Sequence, residues 1–207
     1  MASISRDKTK LVRALYYGER LNAVEIGKRL GVTKDAVYYF MKRNGLHRRT
    51  FVDQNFVRFD KKKPSFKPKE KLTFKERELR IAGIMLYWAE GFKSRKADIV
   101  DFANSDPNMI LVFLKFLREI CGVNEAKLRI YLYCYSNQDV QILIRFWSKT
   151  TSIPEEQFTK PYVRKDFDVK KIGKMRYGLI HIRYSDKKLL QLLLGWIQGY
   201  INNMRRW

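Results

Sequence analysis

The chain is poor in the side chains that most often ligate transition metals. Its 207 residues include only two cysteines, Cys121 and Cys134, and two histidines, His47 and His181. These four residues lack the paired spacing of a structural zinc site, so such a site is excluded. Cysteines in apolar or alternating surroundings are typical of buried free thiols in a reducing compartment, and we expect a cytoplasmic protein.

Long apolar runs are also missing. No stretch reaches about 18 uncharged apolar residues, so the sequence predicts no transmembrane helix and no membrane partner. The N-terminal residues MASISRDKTK lack the apolar core of a signal peptide. A Ser-His-Asp set, a P-loop and a glycine-rich dinucleotide turn are absent from the sequence as well.

Acidic residues are scarce relative to basic ones. There are 21 Asp and Glu against 43 Lys and Arg, and the resulting net charge of +22 is spread along the chain. A folded protein this basic repels itself, which favours a polyanionic partner, either nucleic acid or an anionic membrane, over charge kept for solubility alone. The 45% of hydrophobic residues is enough for a core, in one medium domain or two small ones.

Residues 1–47 predict a three-helix domain. Its helices are expected at residues 8–17, 23–30 and 34–44. Thr33 is placed to cap the third helix and Gly45 to end it. Gly31 permits a tight turn between the second and third helices, and Gly27 keeps their crossing close. This arrangement is typical of a helix-turn-helix.

The segment AVEIGKRLGVTKDAVYYFMKRNGL resembles the resolvase-like and sigma-like helix-turn-helix families. The resemblance implies binding of double-stranded DNA by the third helix. Helix phase turns Val37, Phe40 and Met41 inward, which leaves a basic and aromatic outer face. The predicted base-edge contacts come from the start of the helix, and Lys42 and Arg43 are expected to hold phosphates. The predicted DNA-binding residues of this domain are Thr33, Lys34, Asp35, Tyr38, Tyr39, Lys42 and Arg43. A small helical bundle with a basic surface is the alternative.

Residues 48–78 are interpreted as an extended basic linker. They hold Pro64, Pro68 and dense Lys and Arg, and no helical or strand periodicity persists. Two functions stay open: a solvated tether, or an arm along a phosphate backbone whose aromatic residues dock on a neighbouring domain.

Residues 79–207 predict an α+β domain. A helix at 79–90 is followed by three units of strand then helix, and a short polar pair after each strand is expected to cap the next helix. These pairs are Ser105-Asp106, Ser136-Asn137 and Ser185-Asp186. A further strand is expected near residues 162–167, in a hairpin with residues 177–184.

Two of the predicted strands have contrasting faces. Alternation places apolar residues on one face and basic or aromatic residues on the other. The second face carries Arg129, Tyr131, Tyr133, Tyr135, His181 and Arg183. We expect all of these except Tyr135 to contact DNA, although tyrosines could instead cover a second apolar layer.

The segment GIMLYWAEG, residues 83–91, resembles the signature helix of LAGLIDADG endonucleases, and NSDP follows after a strand. The match includes Glu90 and Gly91, but Trp88 stands where the family has an acid. The resemblance implies a saddle-shaped α/β domain and a homodimer, since one copy of the motif is present. It also implies Mg²⁺ held by Glu90 and Gly91. The small residues Ala82, Gly83 and Ala89 would let two such helices approach closely.

The predicted site at this helix end includes further charged residues. Lys93 and Lys96 are expected to stabilise charge on the scissile phosphate, with Glu90 as the catalytic carboxylate that binds the metal. Asp98 and Asp101 are candidate auxiliary acids. The alternative for Glu90 is an exposed acid paired with Lys93.

Three functions compete at this point. The first is metal-dependent, sequence-specific cleavage of double-stranded DNA. The second is a non-catalytic transcription regulator with a degenerate LAGLIDADG domain, favoured by the single acid and by Trp88. The third is RNA binding by the basic sheet.

The charge predicts a strong salt dependence of binding to nucleic acid. If about six or more phosphates are contacted, affinity for DNA falls by about 10³-fold or more between about 50 and 200 mM salt. Protein binding releases cations condensed on the DNA, and added salt opposes that release. Fluorescence anisotropy with labelled DNA measures this. A flat salt titration would contradict the polyanion interpretation.

Overall fold

The structure, a computed structural model, describes residues 4–94, 96–165 and 175–205. These residues form an α+β protein with eight α-helices and one four-stranded sheet. The chain divides between Lys63 and Pro64 into two units, each with its own apolar core. In the described part, no helix is both long and apolar enough to cross a bilayer.

The first unit is helical. Its helices are α1 (Thr9–Arg13), α2 (Ala23–Leu30), α3 (Lys34–Arg43) and α4 (Phe51–Lys61), and a wider turn at Ala14–Gly18 continues α1. The three predicted helices are therefore confirmed, and their apolar faces meet in one core. The buried core residues are Val12, Leu15, Tyr16, Ala23, Ile26, Val37, Phe40, Met41 and Leu46.

Helix α4 corrects the prediction of an extended linker over residues 48–78. The hydroxyl of Thr50 accepts a hydrogen bond from the Asp53 amide at 3.1 Å, and the Asp53 carboxylate accepts one from the Thr50 amide. This capping box begins a helix in a segment where the proline and lysine content indicated none. Two exposed ion pairs, Arg20–Asp60 and Lys61–Glu25, connect α4 to the rest of the first unit.

The second unit alternates strands and helices. Its helices are α5 (Phe74–Glu90), α6 (Pro107–Lys115), α7 (Val140–Thr151) and α8 (Lys187–Met204). Its strands are β1 (Val100–Asn104), β2 (Leu128–Tyr135), β3 (Phe158–Arg164) and β4 (Leu179–Tyr184). The three predicted units of strand then helix are confirmed. The helix α5 begins five residues before the predicted start, at a capping box of Thr73 and Glu76.

The predicted helix caps are partly confirmed. Asp106 caps α6 and Asp186 caps α8, as the sequence indicated. The cap predicted at Ser136-Asn137 is wrong, because the chain first turns at the end of β2 and Gln138 accepts a hydrogen bond from the Tyr135 amide. Asp139 caps α7 instead.

The sheet has the strand order β1-β4-β2-β3. Strand β4 pairs antiparallel with β1 and with β2, whereas β3 pairs parallel with β2. The predicted hairpin between residues 162–167 and β4 is therefore wrong for the described part of that segment. Helix α7 returns the chain across the sheet, so the next strand runs in the direction of β2. Residues 166 and 167 lie outside the described residues.

One face of the sheet packs on the helices. Alternate residues of β1, β2 and β4 are buried in the same core as residues of α5, α6, α7 and α8. Gly83 belongs to this packing, since a Cβ on it would lie 2.1 Å from the ring of Phe116. The expectation that Gly83 faces a partner helix is therefore wrong, while Ala82 is half-buried and Ala89 is exposed.

Residues 65–69, the strap, are attached along the second unit. The amides of Lys67 and Lys69 donate to the carbonyls of Gly122 and Ile120 at 3.0 and 2.9 Å. The hydroxyl of Ser65 donates to the buried Asp186 carboxylate at 2.7 Å, and the Ser65 amide donates to the same oxygen at 2.8 Å. The part of the predicted linker that follows Lys63 is thus fixed to the core.

Asp186 combines two structural roles, as the N-cap of α8 and as the acceptor for the strap. Desolvation by burial alone would raise the pKa of its carboxyl, but hydrogen bonds from Ser65, Lys188 and Leu189 outweigh burial and lower that pKa. A lowered pKa in the folded state means that the ionised carboxylate stabilises the fold above the unfolded pKa of about 3.9. This contribution is lost as the pH falls through the folded pKa.

We therefore expect Asp186→Ala to lower the free energy of unfolding of the second unit by about 2–4 kcal/mol at pH 7. It removes an N-cap and charged hydrogen bonds. The difference from wild type begins to narrow below about pH 4, because the carboxyl of the unfolded chain is protonated there. It disappears only as the pH falls through the lowered pKa of folded Asp186. Urea unfolding followed by tryptophan fluorescence reports on this unit, because all four tryptophans follow Lys63.

Asp139→Ala is the matched control for this measurement. Asp139 caps α7 with the same kind of hydrogen bonds but is exposed, so its loss costs about 1 kcal/mol. Equal losses of unfolding free energy for the two variants would show that the hydrogen bonds of the strap to Asp186 add nothing to stability.

Candidate nucleic-acid interface

The helices α2 and α3 are joined by a short turn with several local constraints. Gly31 ends α2 with a φ of 69°, in the left-handed region that favours glycine. The Val32 amide donates to the Gly27 carbonyl at 2.9 Å. The Thr33 hydroxyl accepts from the Ala36 amide at 3.2 Å, which confirms the predicted cap of α3. These bonds fix where α3 begins.

Gly27 sets the distance between α2 and the turn. It is buried, and a Cβ built on it would lie 2.6 Å from the carbonyl oxygen of Val32. Real Cβ atoms do not approach a backbone oxygen so closely, so the position requires glycine. The angle between α2 and α3 is therefore fixed by backbone contact.

Helix α3 has an inner and an outer face, as the sequence predicted. Val37, Phe40 and Met41 are buried in the core of the first unit. The exposed residues are Thr33, Lys34, Asp35, Tyr39, Lys42 and Arg43. Tyr39 is the most exposed of the aromatic side chains on α3, with 65% of its surface exposed. The outer face therefore combines positive charge with an accessible aromatic ring.

Tyr38 differs from its neighbours on α3. It is half-buried, and the guanidinium carbon of Arg48 lies 3.6 Å above the centre of its ring. One face of the predicted base-reading ring is therefore already covered. The sequence did not predict that Arg48 lies beside α3, although His47, Arg48 and Arg49 form a basic triplet that starts four residues after α3 ends.

In the second unit, the candidate surface is the outer face of the sheet, which does not pack on the helices. His181 and Arg183 of β4 and Tyr131 and Tyr133 of β2 are half-buried there, and Arg129 is exposed. The predicted alternation along β2 and β4 is thus confirmed, except that Tyr135 is buried. The sheet brings together all five DNA-contact residues that the sequence predicted in this unit.

Asp101 of β1 joins two of these residues. Its carboxylate bonds to Nδ1 of His181 at 2.7 Å and accepts from Nε of Arg183 at 2.8 Å. Desolvation by burial would raise the pKa of this carboxyl, but His181 and Arg183 outweigh that effect and lower it. The Arg183 guanidinium also lies 4.6 Å from the centre of the Tyr131 ring. An acid therefore offsets part of the charge on this face.

The end of α5 holds the residues predicted for catalysis. Glu90 is exposed, and Gly91 follows it as the C-terminal cap. The Lys93 ammonium donates to the carbonyl of Gly91 at 2.5 Å and to that of Tyr87 at 3.5 Å. Lys96 and Asp98 are exposed. The structure therefore brings Lys93 to the helix end but pairs it with the backbone, and Asp101 is engaged with β4.

Burial also changes the acidity of the tyrosine beneath this helix end. Tyr87 is fully buried, and its hydroxyl donates to the Phe92 carbonyl at 3.0 Å. Desolvation, with a smaller contribution from the Asp101 charge, raises the pKa of Tyr87 to about 12. Tyr87 thus stays protonated at neutral pH and acts as a donor that holds the loop after α5.

The residues that a single chain offers at the end of α5 do not fit the Mg²⁺ site that the sequence resemblance implies. The Gly91 carbonyl, one of the two expected ligands, already accepts from the Lys93 ammonium. A second cation there would be repelled by that charge. Across the described ranges, no three His, Cys, Asp or Glu side chains form a group that could hold a metal ion.

No protein-family model, curated protein or solved structure matches this chain. The resemblance to LAGLIDADG proteins therefore remains a prediction from the short motif and the order of elements.

The contact at Gly27 generates a prediction. Gly27→Ala destabilises the first unit by about 1–3 kcal/mol, because the added methyl group overlaps a backbone oxygen that cannot rotate away. Hydrogen exchange of the amides in residues 4–63 should accelerate, while exchange in the second unit stays unchanged.

Gly18→Ala is the control, since a Cβ at Gly18 meets nothing within 4 Å. Similar exchange in both variants would mean that the close crossing of α2 and the turn is not a constraint.

Proposed function

We propose that this protein binds specific sites on double-stranded DNA, with α2 and α3 acting as a helix-turn-helix. The observation that carries the proposal is the capped helix α3, which is held at a fixed crossing by Gly27 and has a basic, aromatic outer face. A recognition helix needs this combination of rigid placement and an exposed face with hydrogen-bonding groups. The net charge of +22 supports a polyanionic partner.

The outer residues of α3 are proposed to make different contacts with DNA according to their position along the helix. Lys34 and Asp35, in the first turn after Thr33, are proposed to reach base edges in the major groove, with Tyr39 beside them. Lys42 and Arg43, in the last turn, are proposed to contact phosphates. Tyr38 is left out of the base-reading set because Arg48 covers its ring.

The outer face of the sheet is proposed as a second surface for nucleic acid. Arg129 is exposed on it, and the half-buried Tyr131 and Tyr133 offer apolar and hydrogen-bonding groups. Because Asp101 pairs with His181 and Arg183, we assign this surface a supporting role rather than the main one.

We infer a regulator without nuclease activity in preference to an endonuclease. The interaction of Lys93 with the Gly91 carbonyl supports this choice, because it supplies a positive charge where the nuclease family would bind Mg²⁺. The exposed Glu90 supports the alternative, since two chains together would provide two carboxylates.

We also propose that the protein acts as a homodimer through α5. Ile81 and Trp88 lie one heptad apart on this helix and are 42% and 43% exposed. Ala89 beside Trp88 is exposed and small enough for close approach of a second helix. A second copy of the chain would cover this apolar surface with the same surface of its own.

The recognition helix can be tested with selected DNA. After selection of a preferred site, Lys34→Ala and Tyr39→Ala should each weaken binding to that site about 10–100-fold, as expected for one lost base contact. Binding to random DNA should change much less. Lys149→Ala, which removes an exposed charge from α7, is the control. Unchanged specificity in both test variants would show that α3 does not recognise the DNA sequence.

The same complexes distinguish a regulator from an endonuclease. We expect Mg²⁺ to give no gain in affinity over EDTA, since it competes for phosphates as other cations do. We also expect an intact DNA site after prolonged incubation with Mg²⁺ or Mn²⁺. Strand cleavage that disappears in Glu90→Gln would establish the endonuclease instead. Glu90→Gln keeps the size of the side chain and removes only its charge.

The dimer is tested by mass measurement of the protein–DNA complex. Wild type should place two chains on each site, and the double variant Ile81→Glu/Trp88→Glu should lower this to one, because paired carboxylates repel across the interface. Ile142→Glu on α7 also replaces an exposed isoleucine and should leave two chains per site. One wild-type chain per site would refute the dimer.

A further inference from the structure

A groove of about 570 Å³ lies between α3 and the chain that follows it. Helix α3 contributes two tyrosines and a lysine to its lining, and the following chain contributes basic residues. The lining residues that matter here are Tyr38, Tyr39, Lys42, His47 and Arg48. The groove belongs entirely to the first unit. Its outer wall includes the start of residues 48–78, the segment for which a solvated tether and an arm along a phosphate backbone were both left open.

That wall, residues 47–49, is fixed to the core of the first unit. The Tyr17 hydroxyl donates to the His47 carbonyl at 2.6 Å, and the Arg49 amide donates to the Tyr16 hydroxyl at 3.0 Å. The Arg49 guanidinium donates to the Leu21 carbonyl at 2.8 Å and lies 4.1 Å from the centre of the Tyr16 ring. The backbone on both sides of Arg48 is therefore anchored before any ligand binds.

Arg48 itself is exposed but held in place. Its guanidinium carbon is 3.6 Å from the centre of the Tyr38 ring, which is the closest of the cation–aromatic contacts among the described residues. Stacking on a ring leaves the N–H donors of a guanidinium, which lie in its own plane, available to an anion. An arginine placed in this way loses little side-chain entropy when it binds.

We propose that this groove binds the sugar-phosphate backbone of DNA, with Arg48 contacting a phosphate and Tyr38 positioning Arg48. This inference rests on the proposed binding of double-stranded DNA by α3. The phosphate of that backbone is an anion whose oxygens suit the N–H donors of a guanidinium. The groove shares Tyr39 and Lys42 with α3, so a backbone bound in it also fixes how far the helix enters the major groove.

The test compares Arg48→Ala with Arg145→Ala, which removes the same charge from an exposed position on α7. For Arg48→Ala we expect about tenfold weaker binding to both the selected site and random DNA, since a phosphate contact carries no sequence information. The slope of log affinity against log salt should decrease in magnitude by about 1. Arg145→Ala should bind nearly as wild type does.

Methylphosphonate substitution identifies the phosphate. Replacing one phosphate of the selected site at a time should reveal a position where neutralisation weakens wild type but not Arg48→Ala. Tyr38→Phe keeps the ring and should bind as wild type does, whereas Tyr38→Ala should weaken binding. In the Arg48→Ala background, Tyr38→Ala should add no further loss, which separates positioning from a contact of its own.

The outcomes separate this inference from the proposed function. If wild type selects no DNA site, the proposed function fails. If wild type binds its site and Arg48→Ala behaves as Arg145→Ala does, only the groove assignment is overturned. Loss of affinity confined to the selected site, with an unchanged salt slope, would also overturn it, because that pattern indicates a base contact. Circular dichroism of each variant verifies folding.

Discussion

The first unit depends on a contact between two stretches of backbone. Gly27 lies against the carbonyl of Val32, and no residue with a Cβ fits there. This contact fixes the crossing of α2 and the turn, and with it the direction in which α3 presents its outer face. The exposed side chains after the Thr33 cap, such as Lys34, Asp35 and Tyr39, take no part in this backbone contact. Side chains held on a rigidly placed helix are what precise binding of a ligand requires.

The second unit uses two of its few acids as internal acceptors. Asp101 binds His181 and Arg183 across β1 and β4, and Asp186 binds the strap while capping α8. Both carboxyls are buried and both have a lowered pKa, because hydrogen bonds and neighbouring positive charges outweigh desolvation. Carboxylates used in this way do little to offset the exposed lysines and arginines elsewhere.

The end of α5 shows how one side chain can change the expected chemistry of a motif. The segment before Gly91 resembles a metal-binding helix, yet the Lys93 ammonium satisfies the carbonyls that close that helix. A cation near the C-terminus of a helix is favourable because the last carbonyls carry partial negative charge. Lysine two residues beyond the glycine therefore stabilises this helix end without a metal. The exposed Ile81 and Trp88 of the same helix still offer a surface to a second chain.

The sequence by itself determined the helices of the first unit, the cap at Thr33, the inner face of α3 and the three units of strand then helix. These features depend on local capping and on periodicity, which neighbouring residues specify. Helix α4 was also within reach, since Thr50 and Asp53 form a capping box, but the prolines and lysines around it obscured that signal. Only the tertiary structure decided the parallel pairing of β3 with β2, the bond between Asp101 and His181, the attachment of the strap and the position of Arg48 over Tyr38. Each of these joins residues that are distant along the chain or in separate elements, so their distances are set by packing and not by sequence spacing.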